Sequence, residues 1–364
     1  MTLPSDAADE SLDSVAHYPP VSVVMTVLNE SRHLTHCVEH VLAQDYPGRV
    51  ELVIALGPST DGTDRVAAKL AGDPRIRTVP NPSGATPAGL NAAVAAARHD
   101  IIARVDGHAM LPSSYLRSAV EVLRETGADN VGGIMAAEGI TPFERAVARA
   151  MASRLGVGSA PFHTGGDAGP ADTVYLGVFH RSALQRIGGY DESFLRAQDW
   201  ELNYRIRRTG GLVYFTPRLR VSYRPRGSVR ALARQYRDYG RWRRVVMREH
   251  PGSVQLRYLA PPAAVVVVVA GAVAAALGWR RGLVVPIGYA AANVAGSAVV
   301  GRDLPLDVRR RLPLVVAVMH ASWGYGFLTS PRSLRPDGSG ESGSGARGQQ
   351  LPAFQAAQSS TTSS

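Results

Sequence analysis

The sequence predicts an α/β protein, a mostly parallel sheet with helices on both faces, followed by C-terminal transmembrane helices. Three observations carry this. Short apolar, β-rich runs alternate with helix-like segments over about 19–255. Polar, acid-containing turns close several of these runs. Long uncharged stretches then follow one another after residue 258. Strand and helix in alternation is the pattern of a parallel sheet covered on both faces.

VSVVMTVL (21–28) is the first strand, and residues 31–44 after it place Leu34, Val38, Val41 and Leu42 on one helical face. ELVIALG (51–57) is the second strand, followed by the polar turn STDGTD and a helix near 64–71. RIRTVP (75–80) is a third, short strand. TPAGLNAAVAAA (86–97) is an Ala-rich helix with Pro87 in its first turn, where a missing N–H costs nothing. DIIARVDG (100–107) is the fourth strand. Ligands of such sheets sit beyond the carboxyl ends of the strands. Residues 28–30, 57–63 and 106–108 all fall at those ends, so they can converge on one crevice.

The apolar stretches are 259–278 and 283–300, both without charge, and 312–328, where His320 is the only ionisable residue. A membrane span needs roughly 17–25 apolar residues. A buried soluble hairpin is the other reading of the second and third. Arg244, Arg248 and Arg257 precede the first stretch, and Arg309, Arg310 and Arg311 lie between the second and third. The positive-inside tendency puts both groups on the cytoplasmic side if the first two stretches form a hairpin, although Arg280 and Arg281 in the short turn oppose it. The expectation is a multi-pass protein of the cell (plasma) membrane with its N-terminal domain cytoplasmic. Residues 1–18 lack the basic start and apolar run of a signal peptide and are expected to be a disordered leader. The Gly/Ser/Gln/Thr-rich segment 331–364 is expected to be a flexible tail.

The net charge is +10, and Lys69 is the only lysine. From Leu202 to Arg257 fifteen arginines face only Asp238 and Glu249, so the basicity is local. Such a run suits nucleic acid, anionic lipid, the phosphates of a small substrate, or a solvated Arg-rich surface. Nucleic acid is disfavoured, because the run adjoins an apolar stretch and no nucleic-acid module is visible. Cys37 is the only cysteine, which excludes an intrachain disulfide and a thiolate metal cluster and suits a reducing compartment.

RVDGHA (104–109) carries the first candidate chemistry. In a continuing strand Asp106 and His108 point the same way, and Gly107 would equally allow a tight turn. Either way a carboxylate and an imidazole can reach one divalent ion. Oxygen with one nitrogen suits Mn2+ or Mg2+, with manganese preferred. Alone, the motif reads equally as a turn Asp and a surface His.

VSVVMTVLNE (21–30), STDGT (59–63), RVDGHA and GGYDESFLRAQDWELNYRIRRTG (188–210), in this order and spacing, resemble the family 2 glycosyltransferases, over about 20–245. The branch most resembled is that of succinoglycan-biosynthesis-type glucosyltransferases, whose metal motif similarly ends in His. The resemblance implies a GT-A nucleotide-diphospho-sugar transferase fold at 19–245, then interfacial and transmembrane helices at 246–330. It also implies a nucleotide-diphospho-sugar donor, a divalent metal on its diphosphate, and an inverting single displacement. Metal and cations would stabilise the departing diphosphate, and a carboxylate would take the acceptor's proton.

Residue roles follow from the resemblance. Asp106 and His108 would hold the metal. Asp199 in AQDWELNYR matches the acceptor-activating acid, with Gln198 where a Glu is usual. Without the family context Asp199 reads as a helix N-terminal acid favoured by the dipole. Glu201 points away on a helix and is read as structural. Thr26, Leu28 and Glu30 would wall the nucleotide. Leu56 and Gly57 stand where members commonly carry two acids, which puts base recognition by a carboxylate in doubt; Asp61 remains as a turn residue. NPSGATPAGLN (81–91), ending at Asn91, resembles the segment passing under the diphosphate, and Arg104 would face it. RQYRDYGRWRR (234–244) resembles a lengthened Q-x-x-R-W element, so Gln235, Arg241 and Trp242 are candidate diphosphate or acceptor contacts. The same segment reads as an interfacial helix. His163, Asp172 and Tyr175 are candidates for the acceptor side, where loop and core packing are equally good readings.

The leading expectation is an inverting hexosyltransferase acting on a saccharide or lipid-linked acceptor in cell-surface or exopolysaccharide synthesis. A polyprenyl-phosphate sugar transferase and a catalytically silent nucleotide-binding membrane scaffold are the alternatives.

Overall fold

Runs rich in Val and Ile favour extended backbone, and they form the centre of the sheet. These are β1 (Val21–Val27), β2 (Val50–Leu56), β3 (Ile76–Pro80) and β4 (Ile101–Arg104). β5 (Asn130–Ala137), β6 (Gly169–Pro170), β7 (Tyr175–His180) and β8 (Val213–Tyr223) complete it. The computed structural model describes residues 18–334; the expected leader and the greater part of the expected tail, residues 1–17 and 335–364, lie outside the described residues.

The strand order is β3-β2-β1-β4-β7-β5-β8-β6. β3, β2, β1 and β4 run parallel, β7 lies antiparallel between β4 and β5, and β8 is parallel to β5. The predicted strand and helix order therefore holds. The fourth strand is shorter than expected: it ends at Arg104, and a turn closed by the Ala109 N–H on the Asp106 carbonyl (2.9 Å) carries Asp106 and His108. Of the two backbone options for this motif, the chain takes the turn.

Among the helices that pack around the sheet are α1 (Leu34–Leu42), α2 (Thr63–Leu70), α3 (Thr86–Ala96), α4 (Tyr115–Thr126), α5 (Pro142–Met151) and α6 (Gln198–Arg208). The period-2 alternation of a strand decides which core each side chain enters. Val21, Val23 and Met25 of β1 pack with Leu34, Val38, Leu116 and Val120 on one face. Val24, Val53 and Ile102 pack with Leu90, Ala93, Leu202 and Ile206 on the other.

The Arg-rich segment forms α7 (Val229–Glu249). It is followed by α8 (Leu256–Ala276), α9 (Val284–Val300) and α10 (Leu312–Leu328). Among the described residues two stretches are long and apolar enough to cross a membrane, Leu256–Ala276 and Arg280–Val300. Both leave large apolar side chains exposed, including Val266, Val269, Val273, Ile287 and Val299.

The third apolar stretch is placed differently. Leu312, Val315, Val316 and Met319 of α10 are buried against Ala146, Val147 and Ala150 of α5 and Leu232 and Tyr236 of α7. α7 and α10 meet backbone to backbone. A Cβ on Gly240 would lie 2.0 Å from the Trp323 carbonyl oxygen, and one on Gly326 would lie 2.0 Å from that of Arg237, so only glycine fits either place. Arg244 and Arg248 donate to the carbonyls of Phe327 (3.3 Å) and Ser330 (2.8 Å) at the end of α10. Part of the local basicity thus satisfies carbonyls that a helix C-terminus leaves open.

Candidate active site

The carboxyl ends of β1, β2 and β4 meet in one crevice, as the parallel arrangement requires. The turn after β2 is sewn to the turn after β1. Asp61 accepts from the Ser31 N–H (3.0 Å) and from the backbone and hydroxyl of Thr63 (3.0 and 2.6 Å). The Glu30 N–H donates to Thr63 Oγ1 (2.8 Å), and Asn29 Oδ1 accepts from the Thr60 N–H (2.8 Å). Burial opposes the charge of Asp61, but these donors outweigh it and hold its carboxyl at about 2. Asp61 is therefore a loop-building acid. Leu28 is partly exposed above Gly57 and Gly84, and a Cβ on Gly57 would stand 3.2 Å from the Leu28 side chain. Leu28, Leu56 and Gly57 thus form an apolar shelf where the sequence lacks its acids. The hydroxyl of Thr26 accepts from Asn81 Nδ2 (3.3 Å) beside it.

His108 and Glu30 are joined: His108 Nδ1 lies 3.0 Å from Glu30 Oε1. Burial works against a charged His108, but the Glu30 hydrogen bond and charge, with Asp106, raise its pKa. A carboxylate on Nδ1 fixes the ring and turns Nε2 outward, the arrangement that metal-ligating histidines use. Glu30, expected beside the nucleotide, is committed to His108. Gly107 between the two candidate ligands is held close to β1, where a Cβ would lie 2.8 Å from Val27 Cγ1.

Asp106 accepts from Arg104 Nη2 (3.0 Å) through Oδ1, and its backbone carbonyl accepts from the buried Cys37 thiol (3.3 Å). Burial disfavours its charge, yet Arg104 and His108 hold the carboxyl below its ordinary range. The other arm of Arg104, Nη1, donates to Asp199 Oδ1. Asp199 lies in the first turn of α6, 95 residues further along the chain. Tyr115, Tyr175 and Tyr190 stand near these charges, and burial raises the pKa of each. The hydroxyls of Tyr115 and Tyr190 are buried without a hydrogen-bond partner. Tyr175 was expected here; Tyr115 was not, and Tyr190 was quoted only as part of the GGYDESF motif.

The donor set fits a divalent metal shared with a substrate. Among the described residues no three His, Cys, Asp or Glu side chains form a metal cluster. A hard cation that binds substrate phosphates needs only one or two carboxylates from the protein. Among the described residues Asp106 bonds through Oδ1 and His108 through Nδ1, with no hydrogen-bond partner on Oδ2 or Nε2, which leaves one oxygen and one nitrogen.

Other residues expected at the site have these surroundings. Asn91 spends its amide on the 190–192 loop, donating to the Tyr190 carbonyl (2.8 Å) and Glu192 (3.0 Å) and accepting from the Tyr190 N–H (2.8 Å). It thereby holds the loop leading to Asp199. Trp242 is buried in a cluster with Phe194, Trp200 and Tyr204, so it offers no face to a ligand. Gln235 Nε2 bonds the hydroxyls of Tyr223 (2.8 Å) and Tyr239 (2.9 Å). Arg241 has a buried Nε without a partner. Asp172 pairs with Arg257 (2.6 Å) and Gln255 (2.8 Å) at the start of α8. Glu201 is structural as expected: it is buried, bound by both Nε and Nη2 of Arg205 (2.6 and 2.7 Å), and lies 3.0 Å from His250 Nε2.

Residues 22–188 match the family model for glycosyl transferase family 2. The chain is 35% identical over 312 residues to the succinoglycan biosynthesis protein ExoA of Rhizobium meliloti (strain 1021), covering 84% of this chain and 93% of that one. It is 25% identical over 246 residues to the dolichyl N-acetyl-alpha-D-glucosaminyl phosphate 3-beta-D-2,3-diacetamido-2,3-dideoxy-beta-D-glucuronosyltransferase of Methanococcus voltae, covering 63% of this chain and 74% of that one. Among solved structures, the mannosyltransferase PcManGT from Pyrobaculum calidifontis, in complex with GDP-Man and Mn2+, shares the fold with a TM-score of 0.56 at 17% identity, over 88% of this chain and 95% of that one. The GT-A architecture and a near full-length relative agree with the four ordered motifs, and the chain belongs to glycosyltransferase family 2.

Proposed function

We propose that this glycosyltransferase moves a sugar, with inversion, from a nucleotide-diphospho-sugar to a saccharide or lipid-linked acceptor at a membrane, in cell-surface or exopolysaccharide synthesis. The observation that carries the reading is the meeting of Asp106 and Asp199 across Arg104 at the strand ends, one acid from the β4 turn and one from the head of α6. A donor-side acid and an acceptor-side acid in one crevice is what a single displacement needs.

Asp106 and His108 would hold a divalent ion, Mn2+ or Mg2+, whose charge offsets that of the departing diphosphate. The Mn2+ and GDP-Man of the Pyrobaculum enzyme support both metal and donor class. The shelf of Leu28, Leu56 and Gly57 would take the base of the nucleotide by apolar contact. Asp199 would accept the proton of the acceptor hydroxyl as its oxygen bonds to the anomeric carbon. The bond from that carbon to the diphosphate oxygen breaks, and its electrons leave with the nucleotide. The exposed apolar helices α8 and α9 support a membrane setting, and the succinoglycan relative supports exopolysaccharide synthesis.

The test is a donor panel. Purified full-length chain in membranes, with Mn2+, should release nucleotide from at least one nucleotide-sugar and transfer the sugar to a membrane acceptor. Release from none, with or without metal, overturns the reading. Transfer to bare polyprenyl phosphate alone would reassign the acceptor.

A further inference from the structure

Arg104 is the last residue of β4, and its side chain is 6% exposed. Both terminal nitrogens are spent on acids, Nη1 on Asp199 and Nη2 on Asp106. Its Nε is buried without a partner. Each terminal nitrogen thus commits one of its two N–H groups to an acid, and the side chain has little exposed surface to offer a donor phosphate. A guanidinium is a rigid planar fork that can serve two carboxylates at once, whereas an ammonium is a point charge that cannot hold the same geometry. Among the described residues the two acids share no other hydrogen-bond partner. α6 starts after Ala197, a non-glycine residue with φ 60°, and no side chain caps it. The aim of Asp199 therefore depends on what grips its carboxylate.

We infer that Arg104 is a positioning residue that fastens Asp199 to the metal-side acid Asp106 and so fixes the gap between base and donor. This rests on the reading of Asp106 and Asp199 given above. It replaces the expectation that Arg104 faces the donor. Held through Oδ1, Asp199 keeps Oδ2 for the acceptor proton. Misplacing a catalytic group by about 1 Å can cost about 10²-fold in rate.

The experiment uses the full-length chain and the variants Arg104→Gln, Arg104→Lys, Asp199→Asn and the Arg104→Gln/Asp199→Asn double. Arg104→Gln should lower kcat by about 10²-fold and leave the donor KM within about threefold. Arg104→Lys keeps the charge without the fork and should show the same split. The double variant should be slower than Asp199→Asn by far less than the roughly 10²-fold of the Arg104→Gln single, because the loss carried through Asp199 is already taken. A raised donor KM with unchanged kcat would make Arg104 a phosphate contact and overturn the inference. A wild-type rate in Arg104→Lys, or additive losses in the double, would also overturn it. Melting temperatures of the same proteins give a readout without turnover: the double should melt no lower than the less stable single, and additive falls deny the tie. Should Arg104→Gln not fold, Arg104→Lys with Asp199→Asn carries the same cycle. A wild-type chain that turns over no donor overturns the transferase reading and leaves the thermal cycle standing.

Discussion

Asp199 has a side chain 39% exposed at the head of α6, while its neighbour Trp200 is buried with Arg243 stacked 3.9 Å from its ring. The helix is anchored by the second residue and offers the first to the crevice. Asp199→Asn should lower kcat by about 10²–10⁴-fold, with donor binding, read by calorimetry, kept; retained turnover would remove Asp199 as the base. Glu30→Ala should weaken Mn2+ by about 10–100-fold, since it frees the His108 ring. A metal titration of transfer checks this, and an unchanged midpoint denies Glu30 its orienting part. That Asp106 and His108 follow a strand end and that Asp199 stands at a helix head was legible, because such boundaries are local features of the sequence. The grip of Glu30 on His108 spans 78 residues and depends on β1 lying beside β4, which no local pattern shows. Trp242 misled for the opposite reason: its residue type fitted a ligand contact, but the turn of α7 faces it into the protein.

Among the elements, α10 shows where composition stops informing. A helix buried in protein and a helix in lipid are both apolar, and only the neighbours tell them apart. Here the neighbours are α5 and α7, whose own apolar faces complete the cluster, and on another side α8 and α9. The short helical turn Pro161–Thr164 gives a pH test. Burial pulls the imidazole of His163 down to about 4, against roughly 6.5 in an unfolded chain. The folded protein holds it neutral, so its contribution to stability is complete above pH ~6.5 and is lost as pH falls from there towards 4. The melting temperature should therefore drop more for wild type than for His163→Phe between pH 7 and pH 5. His108, raised by Glu30, works in the other direction in both proteins and cancels in the comparison. Equal drops would mean that His163 does not titrate with folding.

At the scale of the whole molecule, α8 and α9 form a hairpin whose turn carries Trp279, Arg280 and Arg281, all exposed. At 1.5 Å per residue each 21-residue stretch reaches about 30 Å, the thickness of a bilayer core. An accessibility tag placed after Arg281 should be labelled from the side opposite to one at Arg234 on α7. Labelling of both from one side would make the hairpin a re-entrant or surface element. The backbone contact of Gly240 and Gly326 then has a mechanical consequence. α10 packs on α7 and also meets the hairpin, and there is no slack linker between catalytic body and anchor. With the hairpin in a bilayer, this packing would hold the crevice at one height above the lipid, like a gauge on a fixed post. An acceptor's reach from the membrane, and not only its chemistry, would select which hydroxyl receives the sugar.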